Sequence, residues 1–151
     1  TENQLLRTAL VILYCLLIIN TFFSVRFFMQ ITPLRDWRQQ LMNALLLVIY
    51  VLLATKFDEP LTFVILIALL FSIATVKYIL LAWVVEERLT LRRKILVDAF
   101  GTIISILVVL GVAGGYEILA ILIGGAIFLI ADIYVITIKP IYVASNDKAR
   151  A

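Results

Sequence analysis

The stretch Leu89–Pro140 decides the fold of this chain, and it reads LTLRRKILVDAFGTIISILVVLGVAGGYEILAILIGGAIFLIADIYVITIKP. It contains two apolar runs, Ile95–Val112 and Ile118–Ile138, separated by a short break at residues 113–116. Each run has about the length that an α-helix needs to cross a bilayer, which is roughly 20 residues. Charged side chains inside such runs are costly to place in a membrane, so they usually have a partner or a function.

The composition of the whole chain predicts the same class of protein. Of the 151 residues, 64% are hydrophobic and 15% are charged, whereas soluble domains have about 45–50% and about 25%. We therefore expect an all-α, polytopic helical bundle that forms one integral membrane domain over residues 1–151. The chain contains no histidine, which excludes imidazole-based relays and metal sites within it. The single cysteine, Cys15, has no disulfide partner within the chain.

Three earlier apolar runs bring the predicted number of transmembrane helices to five. They are Leu5–Met29, Leu41–Thr55 and Leu61–Val85. The second run is short, so we expect its helix to extend backwards through Arg38, with Asp36 as its cap. Pro60 is expected in the first turn of the third helix.

Two polar segments flank the last two spans. Glu86–Lys94 predicts either a solvated loop or an overhang of the fourth helix. The charge spacing does not favour a helix there, because neither Glu86 nor Glu87 has a charged residue four positions later. The tail Lys139–Ala151 is polar and is predicted to be frayed.

Basic residues are distributed unevenly between the two sides of the predicted bundle. If the spans alternate in direction, two basic residues, Arg7 and Lys56, fall on one side, and Lys77 lies inside a span. The other side collects Arg26, Arg35, Arg38, Arg88, Arg92, Arg93, Lys94, Lys139, Lys148 and Arg150. Cytoplasmic loops carry an excess of Lys and Arg. We therefore expect a multi-pass protein of the cell membrane, with its N-terminus outside and its C-terminus in the cytoplasm.

The chain also contains a candidate internal repeat. A shift of 55 residues superposes 38–85 on 93–140 without gaps. Arg38 then falls on Arg93, and Lys77 falls on Asp132. Both copies would begin on the same side of the membrane, so the repeat would be parallel. Identities are few, and chance similarity between membrane helices is the alternative.

Five charged residues in or beside the apolar runs are the candidate functional side chains. They are Lys77, Arg93, Asp98, Glu117 and Asp132. Asp98 lies one turn into the fourth span. Its structural interpretation is a partner for Arg93, Lys94 or Arg38, and its functional interpretation is a proton or cation relay at the cytoplasmic mouth. Lys77 and Asp132 would lie at matching depth if the repeat is real. They would then form a structural clasp between the third and fifth spans, or take part in transport.

Two other polar features have structural interpretations. Glu117 opens the fifth span, where a helix N-terminus favours an anion, and simple solvation accounts for it. Asn20, Thr21 and Ser24 form a weakly polar patch on the first span. We interpret that patch as a helix–helix hydrogen-bonding surface in preference to a ligand site.

Several of these motifs resemble the MrpF subunit of Mrp-type sodium/proton antiporters. In the third span, Lys77-Tyr78 holds the places where the last helix of that family has a basic residue and an aromatic one. Arg93 and Asp98 have the five-residue spacing of the family's second helix, and the residues 97–101 (Val-Asp-Ala-Phe-Gly) resemble its core. Glu117 falls where the family has an acid that opens its last helix. The resemblance covers residues 5–80 or, alternatively, 92–138, and the family has three spans.

This resemblance implies a small accessory subunit of a multisubunit cation- or proton-translocating complex, or of a related hydrogenase-like membrane complex. Its partners would be other integral membrane subunits, the lipid bilayer, and sodium ions or protons. One alternative is a self-assembling small ion channel or transporter, suggested by the intramembrane charges and the glycine-rich helix faces. Another is a structural or assembly protein whose buried charges only hold helices together.

Other function classes lack support in the sequence. It contains no nucleophile–base pair, phosphate-binding loop, metal-ligand spacing or cofactor motif, so we expect no enzyme activity, metal or cofactor. The basic residues follow the predicted topology and do not form a continuous patch, so nucleic-acid binding is not expected.

Overall fold

The computed structural model describes residues 1–86 and 88–142, and over these residues the regular structure is entirely helical. The helices are α1 (Glu2–Ile31), α2 (Trp37–Ala54), α3 (Pro60–Ala82), α4 (Arg88–Ala113) and α5 (Glu117–Ile133), and a π-helix (Tyr134–Ile138) continues α5. All five are long and apolar enough to cross a membrane. The prediction of a five-helix, all-α membrane bundle is therefore confirmed in this part of the chain.

The helix boundaries follow the local sequence signals. The carboxylate of Asp36 accepts a hydrogen bond from the backbone N–H of Arg38 (3.0 Å), so α2 begins before its apolar run, as predicted. Pro60 occupies the first position of α3, where its missing N–H breaks no helical hydrogen bond. Gly115 has a φ of 88°, which only glycine adopts easily, and it forms the tight turn between α4 and α5.

The structure shows which of two alternatives holds for one polar segment, and it corrects the expectation for another. The charged segment before the fourth span is a helix overhang, since α4 begins at Arg88; Glu87 lies outside the described residues. The beginning of the tail is packed, because Ile141 is 1% exposed and its N–H donates to the carbonyl of Val135 (3.1 Å). The rest of the predicted frayed tail, residues 143–151, lies outside the described residues.

The order of the helices in space differs from their order in the sequence. α3 makes its most extensive contact with α4 and also packs on α2, while α5 packs on α4 and α1. The helices therefore follow one another as α2, α3, α4, α5 and α1. Although α1 and α2 are consecutive in the chain, neither packs extensively on the other.

A set of hydrogen bonds joins α1 to α2 at one level only. The hydroxyl of Tyr50 donates to the carbonyl of Leu17 (3.2 Å) and hydrogen-bonds to the hydroxyl of Thr21. Tyr14 donates to the carbonyl of Tyr50 (3.3 Å). We call this set the Tyr50 clamp. Between the clamp and the α1–α2 connection, a cavity separates the two helices.

Candidate functional site: a charged cavity between the first two helices

The cavity between α1 and α2 has a volume of about 480 Å³, and α3 and α4 contribute its inner wall. Its rim is apolar. Val25 and Met29 on α1 and Leu47 on α2 border the cavity and are themselves exposed, at 40%, 71% and 66%. In contrast, the interior carries charged side chains of α3 and α4 and a buried amide of α2. The cavity therefore combines a few charged and amide groups inside with exposed apolar side chains at its opening between the two helices.

A buried ion pair on α4 forms part of the inner wall. The ammonium of Lys94 donates to Oδ1 of Asp98 at 2.9 Å, and these side chains are only 5% and 1% exposed. The pair exists because residues four apart lie on the same face of a helix, and α4 turns this face inward. The second carboxylate oxygen of Asp98 has no hydrogen-bond partner among the described residues.

Lys77 on α3 brings a second cation to the same wall. Lys77 is 5% exposed, and its ammonium lies 5.0 Å from the centre of the Tyr78 ring. The ammonium of Lys94 lies 5.4 Å from the centre of that ring, so both cations face one aromatic side chain. Within the described residues, no carboxylate lies within ion-pair distance of Lys77.

Gln39 on α2 supplies a buried amide that the sequence did not single out. It is 1% exposed, and its Nε2 donates to the carbonyl of Lys77 (3.1 Å). Its Oε1 is buried without a hydrogen-bond partner in the described part of the chain. Asp36, which caps α2, also borders the cavity, at the end nearest the α1–α2 connection.

A second polar network adjoins this wall. The amide of Asn20 on α1 donates to Oδ1 of Asp132 on α5 (2.7 Å), and the hydroxyl of Tyr142 donates to the carbonyl oxygen of the same amide (3.0 Å). The ring of Tyr142 lies 5.6 Å from the ammonium of Lys94. The hydroxyls of Ser24 and Tyr78 also hydrogen-bond to each other (2.6 Å). The polar patch predicted on the first span is therefore a helix–helix hydrogen-bonding surface.

The predicted clasp between Lys77 and Asp132 is wrong. Asp132 is hydrogen-bonded to Asn20, and the three ion pairs of the described residues do not include it. Lys77 faces the cavity between α1 and α2, whereas Asp132 lies at the α1–α5 contact. Two residues at similar depth need not share a face, and depth was the only basis of that prediction.

The other candidates divide between the site and the surface. Of the three cations proposed as a partner for Asp98, Lys94 is the one that pairs with it. Arg93 instead donates to the backbone carbonyl of Lys139 (3.1 Å). Glu117 is exposed in the first turn of α5 and lies away from the cavity. α4 continues for 15 residues beyond Asp98, a rise of roughly 22 Å, before the turn that precedes Glu117.

Comparisons with known proteins give no family or relative from which the site could be interpreted. No protein-family model, curated protein or solved structure matches it. The resemblance to the MrpF subunit and the internal repeat both stay predictions. Within the described residues, no group of three or more His, Cys, Asp or Glu side chains is placed to hold a metal ion.

Proposed function

We propose that this chain is a non-enzymatic accessory subunit of a multisubunit cation- or proton-translocating complex in the cell membrane. The observation that carries the proposal is the buried Lys94–Asp98 pair beside Lys77, with one carboxylate oxygen unpaired at a cavity. Ionisable groups inside membrane spans are expensive and commonly mark ion or proton pathways. The MrpF-like motifs support the same class of function.

The chemistry available at this wall suits a relay. The free oxygen of Asp98 can accept a proton or a hydrated cation from the cavity, while Lys94 holds the other oxygen in place. Protonation of the carboxylate would remove the negative charge that balances Lys94. Lys77, within electrostatic reach of both groups, would then repel a further cation and favour release.

The extent of the cavity favours a subunit over a self-sufficient channel. The Tyr50 clamp bounds the cavity on one side. Beyond the clamp, apolar side chains such as Leu13, Leu53 and Phe63 pack closely, at 3%, 0% and 0% exposure. An ion would therefore need a path supplied by a neighbouring subunit to complete the crossing.

We propose the orientation that the basic residues predict, with the N-terminus outside and the α1–α2 connection in the cytoplasm. Cysteine labelling in a Cys15→Ser background tests it. An impermeant maleimide should label Asp58→Cys in intact cells, and it should label Leu34→Cys only after permeabilisation. Leu34 is 90% exposed, so it is accessible to the reagent from its own side. The reverse pattern would contradict the proposed orientation.

Purification in mild detergent, followed by reconstitution, tests the function. We expect co-purifying membrane subunits, and we expect Asp98→Asn to abolish proton or sodium flux through the reconstituted complex while the complex still assembles. Glu117→Gln removes an exposed acid far from the cavity and should leave flux unchanged. Migration of the native chain only as a monomer or homo-oligomer would refute the subunit role. Flux through liposomes that contain this chain alone would favour the channel alternative.

A structural role is the second candidate, and a specific observation favours it. Each of these two buried acids has a neighbour that pairs with one of its oxygens, since Lys94 binds Oδ1 of Asp98 and Asn20 binds Oδ1 of Asp132. The double variant Lys94→Met/Asp98→Asn separates the two roles. If the complex with both changes assembles and keeps its flux, the pair only holds the bundle together.

A further inference from the structure

The inner wall of the cavity has an excess of positive charge. On the part of the wall that α3 and α4 supply, two ammonium groups, from Lys77 and Lys94, accompany one carboxylate, from Asp98, whereas the other carboxylate at the cavity, Asp36, lies at the end nearest the α1–α2 connection. Asp98 is bound to Lys94, so Lys77 is the cation without an ion-pair partner in the described residues. An ammonium on a residue that is only 5% exposed in a membrane-spanning helix is unfavourable unless an anion approaches it.

The interior of the cavity also contains two hydrogen-bond acceptors for which the described residues supply no donor. They are Oε1 of Gln39 and Oδ2 of Asp98, on side chains that are each 1% exposed. Buried polar atoms are rarely left unpaired in native proteins, because each unpaired atom loses its hydrogen bonds to water without replacement. A ligand that suits this wall therefore combines an anionic group for Lys77 with hydroxyl or amine donors for the two oxygens.

The shape of the cavity indicates where such a ligand would come from. Its volume of about 480 Å³ lies within the range of small-molecule sites, about 300–1,000 Å³. The part of its rim formed by Val25, Met29 and Leu47 is apolar and exposed, and it lies between two membrane-spanning helices. A molecule that enters here can keep a hydrocarbon portion against the rim and place a polar group against the inner wall.

We propose that the cavity binds an anionic phospholipid whose headgroup also carries hydroxyl groups, with its phosphate at Lys77 and its hydroxyls at Asp98 and Gln39. The lipid enters sideways between α1 and α2, and its acyl chains lie along the apolar rim. This site goes beyond ion translocation and does not depend on it, because binding is measured without any flux. Loss of lipid binding and loss of transport are therefore separate outcomes.

Native mass spectrometry of the full chain, released from nanodiscs with equal amounts of phosphatidylglycerol and phosphatidylcholine, tests the proposal. We expect one retained phosphatidylglycerol, favoured at least about tenfold over phosphatidylcholine, as a hydrogen-bonded charge contact would give. Lys77→Met should remove this preference. Lys139→Met makes the same change at an exposed position and should keep it.

A second pair of variants keeps every charge and tests the route of entry. Leu47→Trp fills the gap at the rim and should lower lipid retention about tenfold, whereas Leu45→Trp, elsewhere on the exposed surface of α2, should not. Both positions are exposed, so neither change disturbs the core. Equal retention of the two lipids, or equal effects of the members of either pair, would overturn the proposal. Displacement by inorganic phosphate would overturn the lipid as the source of the anion, and a retained polypeptide in place of lipid would do the same.

Discussion

Asp98, Lys77 and Lys94 are buried charged residues, and their burial is costly unless their charges balance one another. Asp98→Asn leaves Lys94 and Lys77 facing each other without a carboxylate between them. Breaking a buried pair in this way destabilises a protein by about 3–5 kcal/mol. Lys94→Met should cost less, because Lys77 lies within electrostatic reach of Asp98 and still partly balances its charge. Reversible unfolding of each purified variant in mixed micelles measures the difference.

The double variant Lys94→Met/Asp98→Asn and an outer control complete this experiment. The double change leaves one cation in place of two and should be more stable than Asp98→Asn alone. Arg93→Gln, next to Lys94 but bonded only to the carbonyl of Lys139, should change the free energy of unfolding by less than about 1 kcal/mol. If the two single changes were equal and the double change were their sum, the ion pair would have no energetic role.

Lys77 and Asp132 give a second prediction at the residue scale. They belong to different networks, so the effects of Lys77→Met and Asp132→Asn should add to within about 0.5 kcal/mol. The effects of Asn20→Leu and Asp132→Asn should not add, because Asn20→Leu already removes the donor that hydrogen-bonds to the carboxylate. The same micelle unfolding assay, applied to both double variants, tests this. Rescue of Lys77→Met by Asp132→Asn would restore the clasp that the structure excludes.

The side chains themselves were partly predictable from sequence, but their partners were not. Asp98 stood out because a carboxylate in an apolar run is rare. Three cations were within reach of it, and the rotation of α4 selects Lys94 over Arg93. Gln39 gave no signal, since a glutamine beside a predicted helix start normally lies in solvent.

At the scale of the helices, α4 shows why hydropathy alone misplaces a boundary. The apolar run begins at Ile95, but the helix begins at Arg88. Helical hydrogen bonds are independent of side-chain polarity, so a charged overhang forms wherever packing supports it. Leu91, 0% exposed, packs into the core from this overhang and anchors it. A single buried leucine among charged residues is a weak periodic signal, and the sequence therefore favoured no helix there.

The contact between α4 and α5 depends on one of two adjacent glycines. A Cβ atom at Gly124 would lie 2.6 Å from Cγ2 of Val108, a buried and stiff side chain, whereas at Gly125 it would meet no atom within 4 Å. Gly124→Ala should destabilise the bundle by about 1–3 kcal/mol. Gly125→Ala should leave the stability unchanged or raise it by up to about 1 kcal/mol, since alanine favours a helix. Thermal denaturation in detergent compares the two, and equal losses would refute this packing.

At the scale of the whole molecule, the number of spans followed from hydropathy, but their neighbours did not. Consecutive helices joined by short connections usually pack together, and α2–α3, α3–α4 and α4–α5 follow this rule. The first pair does not, because Asn20 on α1 finds its partner on α5. The cavity is the direct result of this exception. No periodic pattern in the sequence predicts the cavity, since its presence depends on which helix α1 packs against.

The distance along the chain between Asn20 and Asp132 also has a consequence for biosynthesis. The two residues are 112 positions apart, so at about 5–20 residues per second the ribosome adds Asp132 roughly 6–22 s after Asn20. During this interval α1 is already synthesised but lacks the helix against which it packs. The Asn20 side chain must hydrogen-bond to water, to the insertion machinery or to a chaperone until α5 has been synthesised. Closure of the bundle is therefore a late, post-insertion event that synthesis of the last helix triggers.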